Sequence, residues 1–169
     1  MAHQTKTLTA ELIMFKTKTN QLDRIRNLNL CANDLADISI VSQMAALEVL
    51  SVSVNSITTL KDLSECANLK ELYIRRNSIE RLEEIDFLVP LQNLKIMWLA
   101  ENPVAQMPGY RQIVIKKLTQ LEKLDNVEVS EEERHAALNA GPTPAAGSHE
   151  SAHDSGTETN SFAVAAARR

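Results

Sequence analysis

His149 and His153 stand four residues apart, the spacing at which two imidazoles on one helical face share a metal ion. The Ala, Gly, Ser and Thr around them do not hold a helix, and further ligands are missing, so no metal and no cofactor is expected. His3 and His135 lie far from any partner group. Cys66 continues an apolar series of period three and reads as a small core residue, while Cys31 falls on an exposed position with no base beside it. Glu83 and Glu84, and Glu131, Glu132 and Glu133, read as solvated acids with no enclosed cleft to raise a pKa. The four glycines are scattered from Gly109 onward, which removes a phosphate-cradling loop. With no catalytic constellation left, the chain reads as a binding protein and not an enzyme.

Recognition needs a scaffold, and a recurring asparagine supplies its period. Leu69, Leu72, Ile74, Asn77, Ile79, Leu82 and Ile85 spell L-x-x-L-x-I-x-x-N-x-I-x-x-L-x-x-I, one leucine-rich repeat. Asn33, Asn55, Asn77 and Asn102 recur at intervals of 22, 22 and 25, each followed two residues later by Leu35, Ile57, Ile79 or Val104. Before each asparagine the apolar residues alternate, as in a strand. After it they come every three positions, which suits a 3₁₀-like return arm. The three extra residues of the third repeat add one step of that period and keep the next strand in phase, because a slip of one would turn its apolar set outward. The expected fold is an α/β solenoid of about four 22-residue repeats plus a truncated fifth strand, with a parallel concave sheet and helical caps at both ends. Asn33, Asn55, Asn77 and Asn102 form a structural ladder, each amide able to donate to and accept from the backbone where strand bends into arm.

Residues 1–24 are expected to be an N-terminal cap. A helix over Leu8 to Lys18, capped by Thr7 or Thr9, presents Leu8, Leu12, Ile13 and Phe15 as a partial apolar face that shields the open end of the stack. Residues 25–138 hold the repeats and a C-terminal cap: Tyr110 to Leu118 suggest a helix after Pro108-Gly109, and Ser130 before Glu131, Glu132 and Glu133 opens a last helix to about Leu138. Residues 139–169 read as a disordered tail or linker, too poor in large apolar residues to offset their ordering entropy.

Composition agrees. The 169 residues are 44% apolar with six aromatics, which suits stacked aliphatics over an aromatic-centred core. A net charge of −4 without a compact basic run argues against nucleic acid. Two cysteines in different repeats, no glycosylation sequon, no signal-peptide pattern and no long apolar run predict an intracellular, soluble chain with no membrane segment.

Side chains between the buried strand positions project from the concave face. With strands about 4.8 Å apart, Tyr73 and Trp98 become exposed neighbours, with Val49, Ser51 and Ile96 beside them and Glu71, Arg75, Arg76 and Glu101 around them. Aromatic anchors ringed by Arg and Glu have the composition of a protein-binding hot spot, so these nine residues are the expected partner-binding set. The competing reading is that the large cross-strand pair merely stabilises the sheet.

The period with mixed Leu/Ile arms, and the ending Tyr110-Arg111, Leu118, Leu121, Leu124-Asp125-Asn126 and Glu131 to Glu133, resemble the SDS22-like class of leucine-rich repeats with its terminal cap. Asp37-Ile38-Ser39-Ile40, Leu47-Glu48-Val49, Ser53-Val54-Asn55-Ser56-Ile57, Glu71-Leu72-Tyr73-Ile74-Arg75-Arg76-Asn77 and Trp98-Leu99-Ala100-Glu101-Asn102-Pro103 resemble the amino-terminal domain of the cilia- and flagella-associated protein 410 family, over about residues 8–138. The resemblance implies a cytoplasmic scaffold of the cilium, flagellum or basal body that works with a NIMA-related kinase in cilium assembly. It also implies that kinase binding and self-association belong to a small helical carboxy-terminal module. Because the chain stops at Arg169 in an Ala/Gly/Ser-rich stretch, a monomer is expected of it. Two other readings stay open: a subunit of a ribonucleoprotein that grips an RNA-binding protein by the same face, and a regulatory subunit of a phosphatase or kinase complex.

Overall fold

A computed structural model describes residues 6–141; the expectations for His3, His149, His153 and most of the tail lie outside the described residues. The elements run β1 (Lys6–Thr7), α1 (Ala10–Thr17), β2 (Asn27–Asn29), β3 (Leu35–Asp37), β4 (Val49–Ser51), β5 (Glu71–Tyr73), β6 (Ile96–Trp98), α2 (Tyr110–Lys117), β7 (Lys123–Leu124), β8 (Val127–Glu128) and α3 (Glu131–Asn139). Return arms with 3₁₀ turns at Ser39–Gln43, Lys61–Leu63, Leu82–Leu88 and Pro103–Gln106 lie between the strands.

Alternation builds each strand. Leu28, Leu50, Leu72 and Met97 point inward from the strand centres and lie in register across the stack, while their neighbours face out. The inward row continues through Leu30, Val52, Ile74 and Leu99, all fully buried, and each such side chain is worth roughly 1.5–3 kcal/mol of apolar burial. The sheet has six strands in the order β2-β4-β5-β6-β7-β8. It is parallel as far as β7, after which β8 turns back antiparallel. A separate pairing of β1 with β3 adds a two-stranded parallel sheet that the periodicity does not reveal.

The asparagines tie successive repeats together at the bend. Asn77 Oδ1 accepts from the Ile57 N–H at 3.0 Å, and its Nδ2 donates to the carbonyls of Val52 and Ile74 at 3.0 and 3.1 Å. Asn102 repeats the pattern on Ile79, Ile74 and Leu99, and Asn55 on Leu35, Leu30 and Val52. Asn33, with no repeat before it, donates only to the Cys31 carbonyl. At the other end Asp125, the residue after β7, has a carboxylate that meets donors alone: the N–H groups of Leu99 and Ala100 at 2.7 Å each and the Tyr110 hydroxyl at 2.9 Å. The residue before each ladder asparagine is left-handed and not glycine: Ala32, Val54, Arg76 and Glu101 have φ of 56°, 58°, 57° and 57°.

The ends are closed as follows. Thr9 caps α1 by accepting from the Leu12 N–H, and Leu8 and Ile13 are buried over the first repeat. Phe15 corrects the expected apolar face: it is 68% exposed, because Ile13 takes the inward position of this short helix, and Lys18 Nζ stands 4.6 Å from its ring centre. At the far end Ser130 accepts from the Glu133 N–H. Arg111 on α2 then clasps Glu133 on α3 at 2.5 Å and donates to the carbonyls of Leu124 and Glu128.

Glu84 is a second correction. It is 5% exposed and not solvated: one carboxylate oxygen accepts from Thr59 Oγ1 at 2.8 Å and the Leu60 N–H at 2.9 Å, and the other pairs with Arg81 at 3.2 Å. The long third arm carries this carboxylate to a backbone donor of the preceding arm that has no helical partner.

Among the described residues no helix is long and apolar enough to cross a membrane. None of their His, Cys, Asp and Glu side chains form a group of three or more able to hold a metal ion.

Candidate functional site

Strand register decides what meets on the concave face. Val49 pairs with Glu71 and Glu71 with Ile96; one step on, Ser51 pairs with Tyr73 and Tyr73 with Trp98. Six of the nine expected contact residues are thus consecutive rungs of two rows. Arg75, Arg76 and Glu101, at the strand ends, line the same hollow of about 390 Å³ as Tyr73 and Trp98.

Tyr73 and Trp98 are both half-buried, not fully exposed as the sequence suggests, because each shields the other. Their ring centroids are 5.4 Å apart and their planes meet at 80°, an edge-to-face contact of the kind worth about 0.5–1.5 kcal/mol beyond area burial. The Tyr73 hydroxyl donates to Glu71 Oε2 at 2.6 Å. That carboxylate holds the phenol neutral, its pKa pushed up to about 12, with burial adding to the shift. Arg75 Nε donates to Glu101 Oε1 at 2.8 Å, and a terminal amine of the same guanidinium shares that oxygen. Both members are about half exposed, so the pair adds little stability, but it fixes the orientation of two charges beside the rings.

The aromatic pair divides the face. Toward α1 a groove of about 910 Å³ runs over Asn27, Asn29, Cys31 and Ser51, with Lys16 and Thr17 as its side wall. These floor residues are uncharged amides, a hydroxyl and a thiol. Toward the cap, a smaller recess of about 250 Å³ is lined by Trp98, Arg75, Ala100, Glu101, Asp125 and Asn126. Sequence reasoning missed Val54, Asp125 and Asn126 as parts of this face. Val54 occupies the slot before the ladder asparagine that Arg76 and Glu101 occupy in later repeats, and that equivalence was the available signal. Val54 is a β-branched residue at φ 58° and is 40% exposed at the rim of the central hollow. The lower edge carries a row of charges, with Glu48 held between Arg26 at 2.8 Å and Lys70 at 2.7 Å. The hydrogen bond from Lys70 is the main reason that the Glu48 pKa is lowered.

A leucine-rich-repeat family model matches residues 10–145. The chain is 39% identical over 159 residues to Cilia- and flagella-associated protein 410 of Mus musculus, an alignment covering 93% of this chain and 64% of that protein. It is 44% identical over 136 residues to the Homo sapiens protein of the same name, covering 79% of this chain and 53% of that one. The chain therefore spans between about half and two thirds of the length of these relatives. Among solved structures, a chain of the Drosophila melanogaster SNF/U2A' complex matches with a TM-score of 0.61 at 24% identity, over 79% of this chain and 91% of that one. Internalin C2 from Listeria monocytogenes matches with a TM-score of 0.54 at 22% identity, over 70% of this chain and 46% of that one. Those two likenesses speak for the fold alone. Beside the similarity to the cilia- and flagella-associated protein 410 relatives, the period, the asparagine ladder, the terminal cap and the family match together show that the chain belongs to the leucine-rich-repeat family.

Proposed function

We propose that the chain is a non-enzymatic protein-interaction scaffold of the cilium, flagellum or basal body, that it holds a protein partner on its concave face, and that it serves cilium assembly. The observation that carries this reading is the edge-to-face Tyr73–Trp98 pair, standing half-buried between two open hollows and ringed by Glu71, Arg75, Arg76 and Glu101. Such an arrangement offers rigid aromatic area at low entropic cost, with charged groups at the rim to set register. The names of the related mouse and human proteins supply the ciliary setting. A NIMA-related kinase complex is the partner system implied by the family. The repeat domain is a monomer in this reading, since the family resemblance assigns self-association to a different module.

Exchange of both Tyr73 and Trp98 for Ala tests the site. The double variant is expected to keep a cooperative thermal transition and lose capture of partners from a ciliated-cell lysate; undiminished capture refutes the assignment of the face. Fluorescent tagging tests the setting, with basal-body foci expected and a purely nuclear signal favouring a ribonucleoprotein role instead. Kinase activity in the captured material tests the kinase link, and light scattering tests the monomer.

A further inference from the structure

The recess behind Trp98 does not share the character of the groove on the Tyr73 side. We propose that it seats a cationic side chain, a lysine or arginine, presented by a segment of the protein partner. This builds on the reading of the concave face as the docking surface, and three observations carry it. The first is space: the recess of about 250 Å³ has room for one long side chain, and its floor is Ala100, where the two preceding repeats place Ser53 and Arg75. The second is charge. Arg75 is already committed to Glu101 at 2.8 Å, so these two lining charges cancel. The Asp125 carboxylate remains in excess, because its partners Leu99 N–H, Ala100 N–H and Tyr110 hydroxyl are all neutral. The cation of the cap, Arg111, feels the Asp125 charge but donates its side-chain bonds to Glu133, at 2.5 Å and 2.8 Å, and to backbone carbonyls, and that second carboxylate offsets its charge. The second oxygen of Glu101 accepts no hydrogen bond among the described residues, which leaves it free for an incoming donor. The third is the wall. An indole face attracts an ammonium or guanidinium group through its quadrupole, most strongly when water is displaced. Trp98 lines the recess and Tyr73 does not, so the indole stands between this recess and the rest of the face. An acidic side chain would meet Asp125, and a purely apolar one would leave the second Glu101 oxygen desolvated without a partner.

Trp98 is the only tryptophan, so its emission reads the recess directly. The whole chain is titrated at fixed ionic strength with N-acetyl-arginine amide, N-acetyl-lysine amide, N-acetyl-norleucine amide and N-acetyl-glutamate amide. The two cationic probes are expected to give a saturable change in emission, the norleucine probe one at least several-fold weaker in affinity, and the glutamate probe none. Ala100→Leu fills the recess and should abolish saturation. Glu101→Gln removes a carboxylate and frees Arg75, and it should weaken the arginine probe several-fold. Equal affinity for norleucine and arginine amides, no saturation by either cation, or an unchanged arginine response in Glu101→Gln overturns the proposal. The Glu101 variant decides the matter alone if Ala100→Leu loses its cooperative thermal transition. Lysate capture separates this proposal from the broader one: retained capture in a folded Ala100→Leu protein, with loss in the Tyr73/Trp98 double variant, sinks the recess and leaves the docking face standing.

Discussion

Asn77→Ala probes the ladder at its best-defined rung, and the hydrogen bonds around it set the expected cost. The asparagine is 7% exposed. The carbonyls it serves all have second donors: Val52 keeps Asn55 Nδ2 at 2.8 Å, Ile74 keeps Asn102 Nδ2 at 2.9 Å, and Arg75 keeps the Val54 N–H at 2.9 Å. The Ile57 N–H has none, and its 3.0 Å bond to Asn77 Oδ1 is the one whose loss orphans a buried group. An unsatisfied buried donor costs about 1–3 kcal/mol. Taken at about 2 kcal/mol, with a urea slope of about 2 kcal/mol per molar, the midpoint falls by about 1 M. Asn33→Ala is the internal control: only a bond to the Cys31 carbonyl is lost, in a partly exposed setting, so the cost stays below about 1 kcal/mol. Both variants are followed by far-ultraviolet circular dichroism in urea, with the slope checked for two-state behaviour. Equal midpoints for the two variants would falsify the claim that the Ile57 donor is what the ladder protects.

Glu84→Ala should destabilise by a similar amount, about 1–3 kcal/mol, because the Leu60 N–H loses its acceptor; Glu84→Gln, which retains an acceptor, should cost clearly less, and the reverse order in urea midpoints counts against the buried role. Val54→Gly should raise the midpoint, by up to about 1 kcal/mol in stability, since a left-handed residue with a Cβ costs roughly 1–2 kcal/mol and glycine gives back part of that in chain entropy; a fall in stability shows that Val54 is not strained. Hydrogen bonding from Arg111 holds the Glu133 pKa below its ordinary value of 4.5. A depressed carboxylate contributes stability that is present above its unfolded pKa and lost as pH falls through the folded one. The acid limb of stability against pH should therefore be shallower in Glu133→Gln, and identical limbs below about pH 4.5 refute that assignment.

How much of this was legible in the sequence follows from which features are periodic. The ladder, the inward rows, the extra step of the third arm and the Ser130 cap each depend on residue type at a fixed interval, and they can be read without coordinates. The pairing of Lys6–Thr7 with Leu35–Asp37 cannot, because two exposed polar residues held by main-chain bonds carry no hydrophobic signal. Glu84 looks like any solvated acid until the preceding arm brings the Leu60 N–H to it from 24 positions away. Phe15 looks like core, but an eight-residue helix has few inward positions and Ile13 takes one of them. On the concave face the two rows of contact residues follow from register. The recess behind Trp98 does not, since it opens where the fifth strand is cut to Lys123–Leu124 and Asp125 turns back toward Ala100.

The direction in which the ladder reaches also bears on how such an array can change length over generations. Asn55, Asn77 and Asn102 each bond the backbone of their own repeat and of the one before, and their side chains hold nothing in the repeat that follows. A copied 22-residue unit inserted among its equals therefore brings with it the amide that ties it to its predecessor. At the cap the backbone edge is already spent, since Asp125 takes the Leu99 and Ala100 N–H groups and β8 folds back antiparallel on β7. Gene duplication can therefore lengthen this solenoid from within, whereas a unit appended after β8 would meet an edge that is already occupied.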